Sequence, residues 1–134
     1  MIKTTLIIFT LIFSNNVLAE WTRIGGGDNF DQYIDIATKR KVGNKVRMWD
    51  LADYKIPKKA DSIEYLSEAT QMEYDCANET SRLIAVSIYT ENMQYGSVVA
   101  SFTYKLGESS INPITPNSNG ETAFKLACRK GKLY

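Results

Sequence analysis

Histidine is absent from this chain of 134 residues, which removes both the commonest general base and the commonest metal ligand. Cysteine is almost as scarce, with Cys76 and Cys128 the two examples. Two thiols without histidine make a poor zinc site, and a thiol nucleophile would lack its usual base. A structural disulfide is therefore favoured over a metal ligand or a catalytic thiol. It would close a loop of about 50 residues, worth on the order of 4 kcal/mol in the chain-entropy model. An excess of either charge is missing too, with 16 Lys+Arg against 15 Asp+Glu. The basic balance that draws a protein to nucleic acid or to an anionic membrane is thus lacking. Gly25-Gly26-Gly27 is not a phosphate loop, since acidic Asp28 follows where a Gly-Lys-Ser/Thr would be needed, and it reads as a bend or bulge. Repeats and low-complexity tracts are absent.

What is present begins with a leader. Met1-Ile2-Lys3 carries one positive charge, Thr4 to Phe13 is apolar but for threonines, and Val17-Leu18-Ala19 places small residues before a cut. That order is a secretory signal, and its apolar run is too short to span a membrane. The expectation is cleavage after Ala19 and export of residues 20–134 as a single domain. Only Lys3 is charged within the leader, so Lys+Arg falls from 16 to 15 and the mature chain is neutral against 15 Asp+Glu. Export places both cysteines in an oxidising compartment, where they can pair. Glu20 would follow the cut, so no lipid-bearing cysteine is in place. No second apolar run follows, and no membrane span is expected in the mature chain.

Alternation and turn chemistry then set the fold class. Glu20 to Ile24 reads as a short strand ended by the glycines. Phe30 to Arg40 and Val46 to Tyr54 flank Val42-Gly43-Asn44-Lys45 as a hairpin. Lys55 to Ser62, with Pro57 and three lysines, reads as a solvated loop. Glu68 to Cys76 alternates, placing Met72, Tyr74 and Cys76 on one face and Glu73 and Asp75 on the other. Arg82 to Thr90 and Gln94 to Leu106 supply further strands, and Asn112 to Gly120 is a loop. Ser118 with Glu121 forms a capping box before Ala123, Leu126 and Ala127 at helical spacing. Arg129, Lys130 and Lys132 suit the negative end of the helix dipole. The expected class is α+β: an antiparallel sheet of five to six strands, with one C-terminal helix packed on one face and tied by the disulfide.

Candidate chemistry is thin. Asp28, Asn29 and Asp31 could touch a cation, but their spacing does not make an EF-hand, and a turn is favoured. Glu73 and Asp75 share a strand face as a carboxylate pair would, yet their alternation with Tyr74 and Cys76 points them to water. Asp50 and Asp53 flank a strand end and read as structural. Asn78-Glu79-Thr80 matches an N-glycosylation sequon, a short motif that means nothing if the source is bacterial. No catalytic residue, metal site or cofactor is expected. The basic residues cluster locally: Lys39, Arg40, Lys41, Lys45 and Arg47 at the hairpin tip, Lys55, Lys58 and Lys59 in the next loop, and Lys125, Arg129 and Lys130 on the helix. Interleaved with Tyr33, Trp49 and Tyr54, the first two of these clusters form a candidate patch for an acidic partner, centred on the hairpin residues.

Four stretches resemble the surface-adhesin protein E family of Gram-negative bacteria: YIDIATKRKVGNKVRMWDLADY (33–54), MEYDCAN (72–78), YGSVVAS (95–101) and PITPNSNGETAFKLAC (113–128). They keep the family order across nearly the whole mature chain. The resemblance implies an antiparallel sheet with a C-terminal helix, and it carries over Cys76 and Cys128 as the structural pair. It implies a non-enzymatic binding protein, adhesin-like, whose partners are host extracellular-matrix or envelope proteins. The name-giving member is a lipoprotein, and Glu20 departs from that pattern. The alternative is a soluble periplasmic interaction protein that pairs through a sheet edge as a homodimer. The expected location is accordingly the periplasm, the cell surface or the medium.

Overall fold

The computed structural model describes residues 19–129. All of the expected leader except Ala19 lies outside them, as do Lys130 and Lys132. Six strands run side by side in chain order, each antiparallel to the one before. They are β1 (Thr22–Gly26), β2 (Phe30–Val42), β3 (Lys45–Ala60), β4 (Ile63–Asp75), β5 (Thr80–Tyr89) and β6 (Val98–Thr103). A seventh, β7 (Ile111–Pro113), pairs with the start of β5, so that strand has β7 and β6 in succession along one edge. The C-terminal helix, α1 (Asn119–Cys128), packs across β1 to β4. Among the described residues, no helix is long and apolar enough to cross a membrane.

Turn chemistry explains the hairpins. Gly43 takes φ +64° at the first of the two residues joining β2 to β3. A two-residue hairpin with positive φ at that position favours glycine over any residue with a Cβ. The glycines do not end the first strand as expected: β1 continues through Gly25 and Gly26, which pair with Gln32 and Asp31, and the irregularity falls just before them, where the register shifts between Arg23 and Gly25. A Cβ on Gly25 would run into the side chain of Asn119, so its lack of one lets the start of α1 sit down on β1.

The sheet is longer than its sequence pattern suggests. The loop expected over Lys55 to Ser62 is strand as far as Ala60, and β4 begins at Ile63 rather than Glu68. Lys55 to Lys59 are all exposed, so no apolar alternation marks them as strand. Pro57 falls inside a register break between Asp53 and Lys58, where no ladder N–H is required of it. Gln94, expected to open a strand, lies in a tight turn at Asn92–Gln94, and Pro113 ends β7 where a loop was expected.

The main core lies between α1 and the sheet. Ile34, Val46, Met48 and Tyr74 meet Ala123, Phe124 and Ala127 there. Phe124 stacks edge-on against Tyr74 at 6.1 Å between ring centres. Phe124, rather than Leu126, is the large helical residue that is buried. Burying each large apolar side chain contributes roughly 1.5–3 kcal/mol. Cys76 and Cys128 are disulfide-bonded, with Cα atoms 5.7 Å apart across 52 residues of chain, and fasten the last turn of α1 to the end of β4.

The opposite face carries Leu51, Ser67 and Ala69, all fully buried. The turn at Asn92–Gln94 is tied down beside them. Ser67 Oγ donates to the Glu91 carbonyl at 2.6 Å, Gln94 N–H donates to Ser67 Oγ at 3.0 Å, and Met93 N–H donates to Asp53 Oδ1 at 2.7 Å.

Candidate binding surface

Strand alternation distributes the hairpin patch over both faces of the sheet. Tyr33 is paired with Leu51 and Arg40 with Arg47, and these residues share with Lys45 and Trp49 the face opposite the helix. Lys41, opposite Val46, and Tyr54, opposite Phe30, fall on the helix face. Tyr54 is also far along β3 from Lys45, where the ammonium of Lys58 sits 4.7 Å above its ring. Lys39 caps the end of α1 instead, where its Nζ donates to the carbonyls of Leu126 at 3.1 Å and Arg129 at 2.6 Å. Burial, and then the nearby charge of Arg129, pull its pKa below the ordinary lysine value.

The two basic clusters are likewise apart. Lys39 to Arg47 surround the β2–β3 tip, whereas Lys55, Lys58 and Lys59 lie toward the β3–β4 tip. Arg47 and Lys58 stand eleven positions apart on β3, roughly 35 Å at strand rise. They make two separate surfaces rather than one patch.

Glu73 corrects the expectation of a water-facing carboxylate pair. It is 6% exposed and lies between two arginines on neighbouring strands, Arg47 of β3 and Arg82 of β5. Arg47 Nε donates to Oε2 at 2.8 Å and Arg82 Nη2 donates to Oε1 at 3.1 Å, with Lys45 Nζ at 3.9 Å from the same Oε1. Burial alone would raise the Glu73 pKa; the arginine hydrogen bonds and charges outweigh it and hold the carboxyl below its ordinary value. Arg47 is therefore engaged internally. Arg82 does not stand out in the sequence, although once the β4–β5 turn is placed the ladder sets it opposite Glu73.

Asp50 is the converse case. Instead of flanking a strand end it sits in the middle of β3, opposite Ile34 and Thr70, on the helix face. It lines a cavity of about 170 Å³ with Gln32, Tyr74 and Asn119. Burial pushes its pKa up to about 7, the charge of Glu68 adds to the rise, and a hydrogen bond from Gln32 opposes it. Glu68 also accepts from the Tyr54 hydroxyl at 3.4 Å.

Asp31, Asp53 and Asp75 serve the fold. Asp31 pairs with Arg23 at 2.8 Å, and Asp53 accepts from Asn92 and Met93. Asp75 accepts from the side chain and backbone N–H of Asn78, which lower its pKa; the sequon asparagine is thus part of the β4–β5 turn. At α1, Ser118 Oγ accepts from Glu121 N–H at 3.1 Å. The reciprocal half of the capping box is replaced, because the Glu121 carboxylate accepts from Lys125 at 2.9 Å.

Known proteins share this fold. The family described as surface-adhesin protein E matches residues 21–129. No curated protein matches the sequence. Among solved structures, Haemophilus influenzae protein E superposes with a TM-score of 0.58 at 16% identity, covering 79% of this chain and 83% of that one. Its selenomethionine form gives 0.58 at 16%, covering 79% and 84%. Protein E from non-typeable Haemophilus influenzae gives 0.57 at 15%, covering 83% and 76%. At these identities the likeness is one of fold.

Proposed function

The chain belongs to the surface-adhesin protein E family, and from that premise we propose that it is an exported, adhesin-like surface protein that binds host extracellular-matrix proteins and catalyses no reaction. The observation that carries this reading is the extent of the family match, which takes in every strand from Thr22 and the whole of α1. The contact surface we assign to it is the far arm of the β3–β4 hairpin. There Lys55, Lys58 and Lys59 stand beside Ile56 and Ile63, 59% and 51% exposed. Cations interleaved with uncovered aliphatic groups suit a partner surface that is acidic at its rim and apolar within. Engagement of the buried carboxylate of Glu73 by two arginines supports binding over acid–base work.

The test is surface plasmon resonance of residues 20–134 against purified matrix proteins, alongside the Lys55→Glu/Lys58→Glu/Lys59→Glu variant. The expected outcome is a dissociation constant in the micromolar range, weakened about tenfold or more by the charge reversal and by added salt. No binding at micromolar concentration sinks the adhesive role; equal binding by the variant sinks the assigned surface. Protease shaving of intact cells, followed by fractionation, locates the protein.

A second reading rests on another observation. β6 is a sheet edge, and Val98 and Phe102 on it are more than half exposed, as are Leu106 and Ile111 nearby. Apolar edges of this kind pair with further strands, which favours a homodimer. Light scattering at high concentration tests it: a strict monomer overturns the pairing.

A further inference from the structure

The network around Glu73 leaves one strong donor over. Arg82 carries five N–H groups in a rigid fork, and its side chain is 8% exposed. Nη2 donates to Glu73 Oε1, but the buried Nη1 has no hydrogen-bond acceptor among the described residues. A guanidinium N–H taken out of water without a partner costs free energy, so the site is complete only when an oxygen is brought to it.

Arg82 also lines a cavity of about 210 Å³ on the face opposite the helix. Lys45 lies on one wall, Thr80 and Ser81 contribute hydroxyl-bearing residues, and Ile111 of β7 gives an exposed aliphatic border. Around this cavity stand three cations, Lys45, Arg47 and Arg82, and two carboxylates, Glu73 and Asp75. The surplus is a single positive charge. A monoanion balances it, whereas a phosphate dianion would press its second charge against Glu73 and Asp75. A planar oxyanion accepts from the edge of a guanidinium in its preferred geometry, and the Ile111 side gives room for a carbon stem.

We propose that the cavity over Arg82 is a binding site for a carboxylate carried on a short, partly apolar stem, as a small organic acid or the free C-terminus of a peptide. Nζ of Lys45 and the guanidinium of Arg82 are the donors to its oxygens, the covered Nη1 coming into reach by a small rotation of the guanidinium, and Ile111 contacts the stem. The site does not depend on the adhesive role, and it lies away from the lysine arm of the β3–β4 hairpin.

The experiment is a ¹H–¹⁵N titration of residues 20–134 at pH 7 and low salt, following the arginine Nε–H signals and the amides of Ser81 and Ile111. The probes are propionate, acetyl-trialanine with a free carboxylate, the same peptide as its C-terminal amide, and inorganic phosphate. The expected result is a saturable shift at Arg82 with a dissociation constant in the millimolar range for one or both carboxylates, and none for the amide. Response to propionate identifies a free acid as sufficient; response to the peptide alone identifies a chain terminus. Lys45→Gln, whose ammonium stands at 3.9 Å from Glu73 and adds little to the fold, should weaken binding about fivefold. Arg82→Lys keeps a cation for Glu73 while removing Nη1, and should abolish the shift at Ser81. The proposal is overturned by no saturable shift up to about 100 mM carboxylate, by equal binding of the amide or phosphate, or by unchanged affinity in both variants.

Discussion

Asp50 and Glu73 lie on adjacent strands, on opposite faces of one sheet, and burial presses both carboxyls toward the protonated form. Arg47 and Arg82 reverse the pressure at Glu73, while Glu68 reinforces it at Asp50. The two residues consequently couple to pH with opposite signs. The folded pKa of Asp50, about 7, stands above its ordinary value of 3.8, so the folded state holds the proton more tightly. Stability should therefore fall as pH rises from the ordinary carboxylate range toward neutrality, and flatten beyond. Thermal unfolding across pH checks this. Asp50→Asn should raise the melting temperature at pH 8 by several degrees and leave it nearly unchanged near pH 4. Glu73 behaves in reverse: its folded pKa is depressed, so its contribution is present above the ordinary value of 4.5 and lost as pH falls through the folded one. Glu73→Gln strands two arginines and should cost about 3 kcal/mol in urea unfolding at pH 7. The deficit should shrink in acid; a deficit independent of pH would show that lost packing, not lost charge, is responsible.

At the scale of elements, α1 is only ten residues long, too short to persist without tertiary support. Ser118 caps its start, Phe124 anchors its middle, and Lys39 with the Cys76–Cys128 bond secures its end. Ser118→Ala should lower stability by about 1 kcal/mol, read as a fall of a few degrees in the melting temperature. The cap and the two cysteines are legible in the sequence because each is a local signal. Lys39 is not: a lysine on a strand reaching carbonyls some 87 to 90 residues later leaves no local trace. The outer half of β3 is hidden for a different reason. Lys55 to Lys59 face water on both sides and include a proline, so they carry loop composition while the ladder with β4 closes at Lys58 to Ala60. Phe124 is obscured because the helical spacing of Ala123, Leu126 and Ala127 phases the face on Leu126, two residues away.

Across the whole molecule, period-two alternation and short turns are enough for an antiparallel meander with one helical cover, and the family resemblance points the same way. What alternation does not supply is which basic residues share a surface, since that depends on strand length and on register breaks at Asp35/Arg40 and Asp53/Lys58. The candidate patch divides for that reason. The placement of the disulfide also decides how the chain responds to a pulling force. Cys76–Cys128 makes a covalent loop of everything from the β4–β5 turn to the last turn of α1. Tension from the N-terminal side can unzip β1 through β4 one strand at a time, but it cannot lengthen the loop behind Cys76. Single-molecule pulling on residues 20–134 should give a total extension of roughly 190 Å for the chain ahead of that lock, with a further lengthening only after reduction. Full extension of the oxidised chain would disprove the lock. The bond then serves as a strain limiter, dividing the sheet into a part that yields to drag and a part that does not.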